Sequence, residues 1–595
     1  MREALPRLAR SGSPGQGTIT VPAVDGSRLR SALWALGAGS LAGLALPPLG
    51  LPPLLWPALA VLWQLVSSGR RGPTLLWGLA ALLTSHRWLL WLHPLDWIGV
   101  PTPLSLPLCV LIWLACGLLG GALVLLWSLP WRGLGLERAD TALLAASLWG
   151  LAEVLLARGP LFWIGLGVSP LPSDRPLAGL AALGGAGLIA TVQLLIGWGL
   201  WRVLLWRQQG RRQGLSPSSP PWSPRWSRNV VVLAALVLSA HLLGTAALGP
   251  AQDLSQSEGR RETVLVIQPA IPTREKFEPA QQRRLLHTLA QTLDHLTAEA
   301  GAATALGPER TALPVAIESV GLKSVGFESF SLEALRPGEP ETKASARTSP
   351  RRAAIDAVLL PEGALALDQP LPIPAPVEVL SGGFRRQGEG LRSALLRFEP
   401  GERWPGGGVD KHRLVPLGEW VPLSGLVRWS GLSAVGGLEP GAASRLVDRP
   451  RGRIGVAICY ELADGHGLVQ ASRDGAQWLV ASANLDPYPI MLQQQYAAVA
   501  QLRSIETGRW LVSAANTGPS LLVDPAGRLR GQLTPLIPGQ AMAEVQRVDQ
   551  LSLYGRLREW PMLVLLLLAA ASRARALSRQ GLFLHFGIDS GGSEH

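Results

Sequence analysis

Residues 453–464 read RIGVAICYELAD, and this stretch places Cys459 directly after a short apolar run that contains Ile454, Val456 and Ile458. A short apolar run rich in β-branched residues predicts a buried strand. Cys459 is the only cysteine that follows Cys116 in the chain. A thiol at the end of such a strand is typical of a nucleophile, and we take Cys459 as the candidate.

Two further segments carry the other groups that acyl transfer through a thioester needs. Residues 358–365 (VLLPEGAL) bring Glu362 to the end of a second strand-like run, and residues 411–422 (KHRLVPLGEWVP) begin with Lys411, one of four lysines against fifty arginines. Taken singly, each has a commoner explanation as a solvated carboxylate, a surface ammonium or a core thiol. Together, a carboxylate, an ammonium and a thiol predict a catalytic set.

The N-terminal part of the chain has a different composition from the rest. Residues 29–248 consist mostly of Leu, Ala, Gly, Val and Trp, whereas residues 252–550 have the polarity of a globular domain. An apolar helix needs roughly 20 residues to cross a bilayer core. The composition therefore predicts eight membrane spans, at residues 30–48, 51–68, 73–92, 103–129, 140–157, 177–206, 229–248 and 558–577.

These spans predict how the chain is divided. The predicted parts are an N-terminal tail (1–28), a seven-helix membrane domain (29–248), a linker (249–262), an external domain (263–557), a final transmembrane helix (558–577) and a C-terminal tail (578–595). Residues 303–353 show no clear periodicity and end in a polar, basic run, which predicts an insertion within the external domain.

The arginines are concentrated in alternate loops between the spans. They precede the first span and recur in every second loop, as Arg2, Arg7, Arg10, Arg28, Arg30, Arg70, Arg71, Arg132, Arg138, Arg207, Arg211, Arg212, Arg225 and Arg228. Positive loops stay in the cytoplasm, so both tails are predicted to be cytoplasmic and residues 249–557 to lie outside. This placement accounts for the net charge of +12, and we predict no nucleic-acid partner.

The external part alternates between strand-like and helix-like segments. Strands are predicted at residues 263–268, 354–360, 377–382, 392–398, 453–459, 478–482, 511–515 and 520–523, and helices at 279–300 and 491–507. Strands that are continuously apolar and alternate with helices predict a layered α/β core covered on both faces.

The three segments resemble the nitrilase superfamily, whose members carry Glu, Lys and Cys in this order at strand ends. They resemble more specifically its membrane branch, the apolipoprotein N-acyltransferase family. The likeness extends to residues 266–269 (VIQP), 414–416 (LVP) and 503–518, and to Trp149, Glu153, Arg158, Phe162 and Trp163. It implies a nitrilase-like αββα sandwich joined to a polytopic α-helical bundle of about eight transmembrane helices. It also implies a bacterial inner-membrane protein with its catalytic domain in the periplasm.

The resemblance also implies a role for each site residue. Glu362 would be the general base, with its pKa raised by burial. Cys459 would attack the ester carbonyl of a phospholipid acyl chain, while Lys411 and the backbone N–H of Tyr460 would hold the oxyanion. The α-amine of a diacylglyceryl-modified cysteine on an apolipoprotein would then take the acyl chain, in a ping-pong reaction. Glu419 and Glu461 would orient Lys411 or act as structural ion-pair partners.

Other chemistries have little support in the sequence. The nine histidines lack metal-ligand spacing, and neither a Walker loop nor a Gly-x-Ser-x-Gly elbow occurs, so we predict no metal and no cofactor. Trp420 and Tyr488 are candidates for a lateral lipid entrance. Two alternatives remain open: a membrane-anchored nitrilase-type amidase that passes its acyl-enzyme to water, and a noncatalytic membrane protein with a vestigial triad.

Overall fold

A computed structural model describes residues 26–96, 99–131, 133–159, 164–212, 224–256, 261–276, 278–305, 354–416, 419, 437–486 and 488–579. Most of the predicted insertion lies outside the described residues, as do residues 1–25 and 580–595 of the predicted tails. Phe162, Trp163 and Trp420 also lie outside them.

Eight helices in the described part of the chain coincide with the predicted spans and form what we call the helical bundle. They are α1 (Gly26–Ala45), α2 (Pro52–Ser67), α3 (Arg71–Ser85), α4 (Thr102–Ser128), α5 (Ala139–Ala157), α7 (Ala181–Arg212), α8 (Pro224–Gln256) and α13 (Trp560–Arg579), with the short α6 (Arg175–Ala178) before α7. Five apolar segments in the described residues are long enough to cross a membrane: Thr102–Trp131, Ala139–Ala157, Ala181–Arg207, Arg228–Pro250 and Trp560–Ser578.

The bundle differs from the predicted spans in three places. The span predicted at 73–92 is divided, because α3 ends at Ser85 and a 3₁₀ helix (Arg87–Leu92) follows. The helix α8 continues to Gln256, into the predicted linker. The polar residues of the linker end the apolar span, but the backbone hydrogen bonds of the helix continue through them. The helix α7 is broken at Gly184 and Gly185, and Gly185 has a φ of +67°.

The remaining strands and helices form what we call the two-sheet domain, residues 261–550. The strands are β1 (Arg261–Gln268), β2 (Ala357–Leu360), β3 (Glu378–Gln387), β4 (Gly390–Phe398), β5 (Pro405–Asp410), β6 (Leu446–Val447), β7 (Ile454–Ile458), β8 (Trp478–Ala483), β9 (Leu511–Ala515), β10 (Leu521–Val523), β11 (Leu529–Gln532) and β12 (Gly539–Gln546). In the described residues they make two six-stranded sheets, ordered β12-β1-β2-β3-β4-β5 and β11-β10-β9-β8-β7-β6.

The two sheets pack face to face, with helices on their outer sides. Alternate residues of β1 divide between two clusters: Val264 and Val266 join the core between the sheets, and Leu265 and Ile267 pack with the buried leucines of α9 (Pro279–Ala305). This alternation is the expected consequence of the two-residue repeat of a strand. The second sheet is covered by α10 (Gly465–Arg473) and α11 (Ile490–Thr507). The predicted αββα layering is therefore present.

The strand pairing brings the candidate residues to one end of the sandwich. The central strands are parallel, with β2 between β1 and β3 in one sheet and β8 between β7 and β9 in the other. Glu362 lies two residues beyond β2, and Cys459 follows β7 directly. Lys411 follows β5, the edge strand of the first sheet. Parallel strands end at the same edge of a sheet, so these side chains converge.

Candidate active site

The candidate nucleophile lies in a strained backbone turn. Cys459 begins a 3₁₀ turn (Cys459–Ala463) directly after β7 and has a φ of +53°. A positive φ is unfavourable for a residue with a side chain and persists only where the surrounding structure holds it. The side chain is 7% exposed. The turn therefore presents a nearly buried thiol at the end of the strand.

Glu362 lies directly against this thiol. The Glu362 carboxylate is close enough to the Cys459 thiol for its charge and hydrogen bonding to raise the pKa of the thiol. Glu362 Oε1 accepts from Lys411 Nζ at 2.7 Å, and Glu362 Oε2 accepts from the backbone N–H of Asn484 at 3.1 Å. The carboxylate is thus held between an ammonium, an amide N–H and the thiol, which is the position of a general base.

Lys411 is fully buried between two carboxylates. Its Nζ donates to Glu362 Oε1 and to Glu419 Oε1, both at 2.7 Å. Glu419 in turn accepts from the N–H of Val415 at 2.9 Å. Burial alone would lower the pKa of Lys411, but the two carboxylates raise it well above its ordinary value. Lys411 therefore remains an ammonium throughout the neutral pH range.

Burial and charge act on the pKa values of the reacting pair in different directions. Burial and the nearby charge of Glu362 raise the pKa of the Cys459 thiol. Burial also acts to raise the pKa of Glu362, but the charge and hydrogen bond of Lys411 bring it below its usual value. The sequence-based expectation of a raised pKa is therefore wrong in direction. At rest the proton is on sulfur.

A second buried lysine, which is not among the residues predicted from the sequence, lies beside Glu362. Lys276 Nζ donates to the backbone carbonyl O of Glu362 at 2.8 Å. Burial lowers the pKa of Lys276 to about 8, although the charges of Glu362 and Cys459 oppose the change. The scarcity of lysine that singled out Lys411 applies equally to Lys276 and could have found it.

Glu461 has a different position from Glu419. Both Glu461 oxygens accept from Arg445 Nη1, at 2.7 and 2.8 Å. Its carboxylate also accepts from the backbone N–H groups of Ile458, His412 and Arg413, at 2.7 to 3.0 Å. Glu461 thus joins the end of β7 to the segment after Lys411. Of the two roles considered from the sequence, this geometry corresponds to the structural ion pair.

Tyr460, the residue after the nucleophile, contacts the helical bundle. Its hydroxyl donates to the backbone carbonyl O of Gly159 at 3.3 Å, just beyond α5. The Arg413 guanidinium lies over its ring, 4.9 Å from the centroid. Arg413 also donates to the carbonyl O of Ala157 at 3.0 Å. The nucleophile turn is therefore attached to the end of the apolar helix α5.

Comparison with known proteins places the chain in a family. The model "Apolipoprotein N-acyltransferase N-terminal domain" matches residues 38–199, and the model "Carbon-nitrogen hydrolase" matches residues 377–551. The apolipoprotein N-acyltransferase of Prochlorococcus marinus (strain MIT 9313) is 46% identical over 549 residues, covering 89% of this chain and 93% of the relative. The chain belongs to the apolipoprotein N-acyltransferase family.

More distant comparisons accompany this family assignment. The apolipoprotein N-acyltransferase of Parasynechococcus marenigrum (strain WH8102) is 43% identical, and the alignment covers 89% of this chain and 98% of the relative. That of Gloeobacter violaceus is 28% identical, and the alignment covers 89% of this chain and 90% of the relative. Among solved structures, Saccharomyces cerevisiae Nit3 of the nitrilase superfamily is 12% identical with a TM-score of 0.31, covering 48% of this chain and 90% of that chain. The matched carbon-nitrogen hydrolase segment contains Lys411 and Cys459 and begins after Glu362.

In this apolipoprotein N-acyltransferase family member, an aromatic cluster lies between the helical bundle and the candidate site. The Tyr488 ring meets the Trp88 ring edge-on, with 6.0 Å between centroids. Both pack with Leu89 and Leu492, so the start of α11 rests on the 3₁₀ helix that follows α3. Tyr488 is thus at the boundary between bundle and two-sheet domain.

The described residues contain no group of three or more His, Cys, Asp or Glu side chains that could hold a metal ion. The site offers a thiol beside a carboxylate base, and this carboxylate also accepts from an ammonium. These groups suit nucleophilic attack on a carbonyl carbon, with the negative charge that develops on oxygen held by Lys411.

Proposed function

We propose that this protein transfers an acyl chain from a phospholipid to the α-amino group of the diacylglyceryl-cysteine of apolipoproteins, through a thioester on Cys459. Family membership supports lipoprotein N-acylation as the overall reaction. The observation that carries the mechanism is the contact of Cys459 with Glu362, and of Glu362 with Lys411, at the end of a domain docked on apolar helices.

The first half-reaction forms the thioester. The thiol proton passes to Glu362 as sulfur attacks the ester carbonyl carbon. Lys411 has three N–H donors, two of which meet Glu362 and Glu419, which leaves the third to face the oxyanion. The Tyr460 backbone N–H is the second donor. When the tetrahedral intermediate collapses, the lysophospholipid oxygen leaves with the proton held by Glu362.

The second half-reaction forms the amide. The neutral α-amine of the apolipoprotein attacks the thioester carbonyl, and Glu362 accepts the proton that the nitrogen loses. Collapse of this intermediate returns the electron pair to sulfur, and the thiol regains a proton. The two substrates bind in turn, so the reaction follows ping-pong kinetics.

The arrangement in the membrane follows from the arginine pattern. We infer that all eight helices cross the inner membrane of a bacterium, with residues 1–28 and 578–595 in the cytoplasm and residues 263–557 in the periplasm. The tight contact of the two-sheet domain with the helix ends supports this arrangement, because both substrates are lipids. The edge-on contact of Trp88 with Tyr488 between the helices and the two-sheet domain supports these two residues as the proposed entrance for an acyl chain from the outer leaflet.

The test is whether a phospholipid labels Cys459. The purified protein is incubated with a phospholipid that carries a labelled acyl chain, and hydroxylamine-labile label on the protein is measured. We expect label in the wild type and in Cys109→Ala, and none in Cys459→Ala. A diacylated lipopeptide should then remove the label as an N-acyl product.

Two results would contradict this proposal. An unlabelled wild type would exclude the thioester and leave a noncatalytic membrane protein. Label that moves only to water in the presence of the lipopeptide would identify a membrane-anchored amidase.

A further inference from the structure

A break in the membrane helix α7 lies directly against the two-sheet domain. Tyr554 lies in the short helix α12 (Leu553–Leu557), which follows the two-sheet domain. A Cβ at Gly185 would approach the Tyr554 ring to 2.5 Å, so a side chain larger than that of glycine would clash with the ring. The first N–H groups after such a break have no partner within the helix. One of them, the N–H of Ala186, donates to Glu506 Oε1 on α11 at 3.0 Å.

Glu506 also holds Arg503, one turn earlier on α11. Glu506 Oε2 accepts from Arg503 Nη1 in a buried ion pair. Arg503 Nε donates to the carbonyl O of Leu462 at 3.0 Å, and Arg503 Nη2 donates to that of Ala463 at 3.0 Å. These residues end the 3₁₀ turn that begins at Cys459. A continuous series of polar contacts therefore runs from the break in α7 to the nucleophile turn.

The ion pair has little room to move. A Cβ on Gly465 would lie 2.0 Å from Arg503 Nη1 and 2.5 Å from Glu506 Oε2, so the chain after the turn packs directly against both groups. Arg503 and Glu506 are both buried. Charge-assisted hydrogen bonds without competing water are strong and directional. The pair can therefore transmit the position of α7 to the turn.

The turn needs such support because its backbone is strained. Cys459 has a positive φ, which is unfavourable for a residue with a side chain. On one side the turn is held by Glu461 and Arg445. Arg503 holds the other side, where the two carbonyl groups would otherwise be buried without these donors.

We infer that Arg503 and Glu506 are positioning residues that tie the Cys459 turn to the break in α7, so that a membrane helix sets the geometry for acyl transfer. This inference rests on the proposed function. The Sγ of Cys459 and the N–H of Tyr460 belong to the same turn, and a shift of about 1 Å in such groups can slow a reaction by about a hundredfold.

The test compares Glu506→Gln and Glu506→Ala with Glu262→Gln. Glu262 is an equally buried carboxylate that pairs with Arg449 and accepts from Trp478 Nε1, at the start of β1 and the opposite end of the strands. Each full-length protein is assayed for the acylation rate from labelled phospholipid, the KM for that phospholipid, the rate of Cys459 alkylation by iodoacetamide and the thermal midpoint.

For Glu506→Ala we expect an acylation rate about ten- to a hundredfold below wild type, with KM within about twofold. Glu506→Gln keeps an acceptor for the N–H of Ala186 but loses the charge that holds Arg503. Its acylation rate should therefore lie between those of the wild type and Glu506→Ala. Glu262→Gln should lower the thermal midpoint and leave acylation and alkylation rates at the wild-type level below that midpoint.

The positioning role fails if Glu506→Ala acylates at the wild-type rate, or if Glu262→Gln slows acylation to the same extent. If the wild type forms no thioester, the proposed function fails. The alkylation rate then decides the inference by itself: a several-fold change in Glu506→Ala, absent in Glu262→Gln, supports it, and equal rates overturn it.

Discussion

At the scale of single residues, the choice of lysine at position 411 has a physical reason. A compact ammonium with three rotatable donors can meet two carboxylates and an oxyanion at once, whereas a guanidinium presents its donors in one plane. The contacts of Lys411 with Glu362 and Glu419 use two of these donors. In a chain that uses arginine for nearly every other positive charge, lysine at this position is consistent with that requirement.

Lys276 gives a prediction about pH. Its pKa is lowered by burial from 10.5 to about 8 in the folded protein. Between pH 8 and 10.5 the unfolded chain thus binds more protons, so folding stability rises with pH in this window, and the cost of burying the charge is fully present below pH 8. Lys276→Met removes this cost. The unfolding free energy of Lys276→Met minus that of the wild type should fall by about 3 kcal/mol between pH 7 and pH 10.5, because the wild type gains stability over this range.

The measurement for Lys276 is the difference in unfolding free energy between Lys276→Met and wild type at several pH values. Titrating groups that do not interact with Lys276 are the same in both proteins, and their contributions cancel in the difference. A difference that does not change with pH would mean that Lys276 keeps an ordinary pKa.

The sequence identified part of this residue-scale picture. Cys459 and Glu362 each follow a strand that the sequence predicts. Lys411 follows β5, a strand that the sequence did not predict, so Lys411 was selected by the scarcity of lysine and by the family resemblance. Lys276 precedes α9 in a segment without a strand, so no pattern placed it near Glu362. The pairing of Glu461 with Arg445 joins residues 16 positions apart through a turn, and the spacing of apolar residues carries no information about it.

At the scale of elements, the nucleophile turn depends on Glu461. Glu461→Gln removes the charge that Arg445 meets while both groups remain buried, and an unpaired buried charge is costly. We expect this variant to lose about 3 kcal/mol of unfolding free energy. The check is thermal or denaturant unfolding of the purified protein.

The matched control is Glu439→Gln, which makes the same chemical change. Glu439 is about half exposed and lies 3.8 Å from Arg392. An exposed pair of this kind contributes less than about 1 kcal/mol. Equal losses in the two variants would show that Glu461 has no special structural role.

Among the strands, those that the sequence missed are small-residue or edge strands. The strand β12 pairs with β1 over eight residues, yet its buried positions are Gly539, Ala541, Ala543, Val545 and the polar Gln546. Alternation of such small side chains gives a weak hydrophobic signal. The edge strand β5 contains three glycines and was missed for the same reason. The strongly apolar β7, β8 and β9 were predicted to within one or two residues.

At the scale of the whole molecule, the two-sheet domain is docked on the bundle by polar contacts as well as apolar ones. Gln495 on α11 donates to the carbonyl O atoms of Pro47 and Ser85 at 3.0 and 3.2 Å, which lie near the ends of α1 and α3. Arg158 after α5 pairs with Glu559 before α13 at 2.7 Å. The helix ends of α1 and α3 that carry the Gln495 contacts therefore lie at the end of the bundle next to the two-sheet domain.

This placement gives a test of the topology with single cysteines. In a protein whose three native cysteines are replaced by alanine, Asp448→Cys places a thiol on the two-sheet domain, where Asp448 is largely exposed. Ser67→Cys places one at the exposed end of α2, beside Arg70 and Arg71. If α1 and α2 both cross, the positive loop after α2 stays in the cytoplasm.

A membrane-impermeant maleimide added outside should label Asp448→Cys in intact cells with a permeabilised outer membrane, and should label Ser67→Cys only after lysis. Labelling of both sites from outside would show that α1 and α2 do not cross as a pair, and labelling of Ser67→Cys alone would reverse the orientation that the arginines predict.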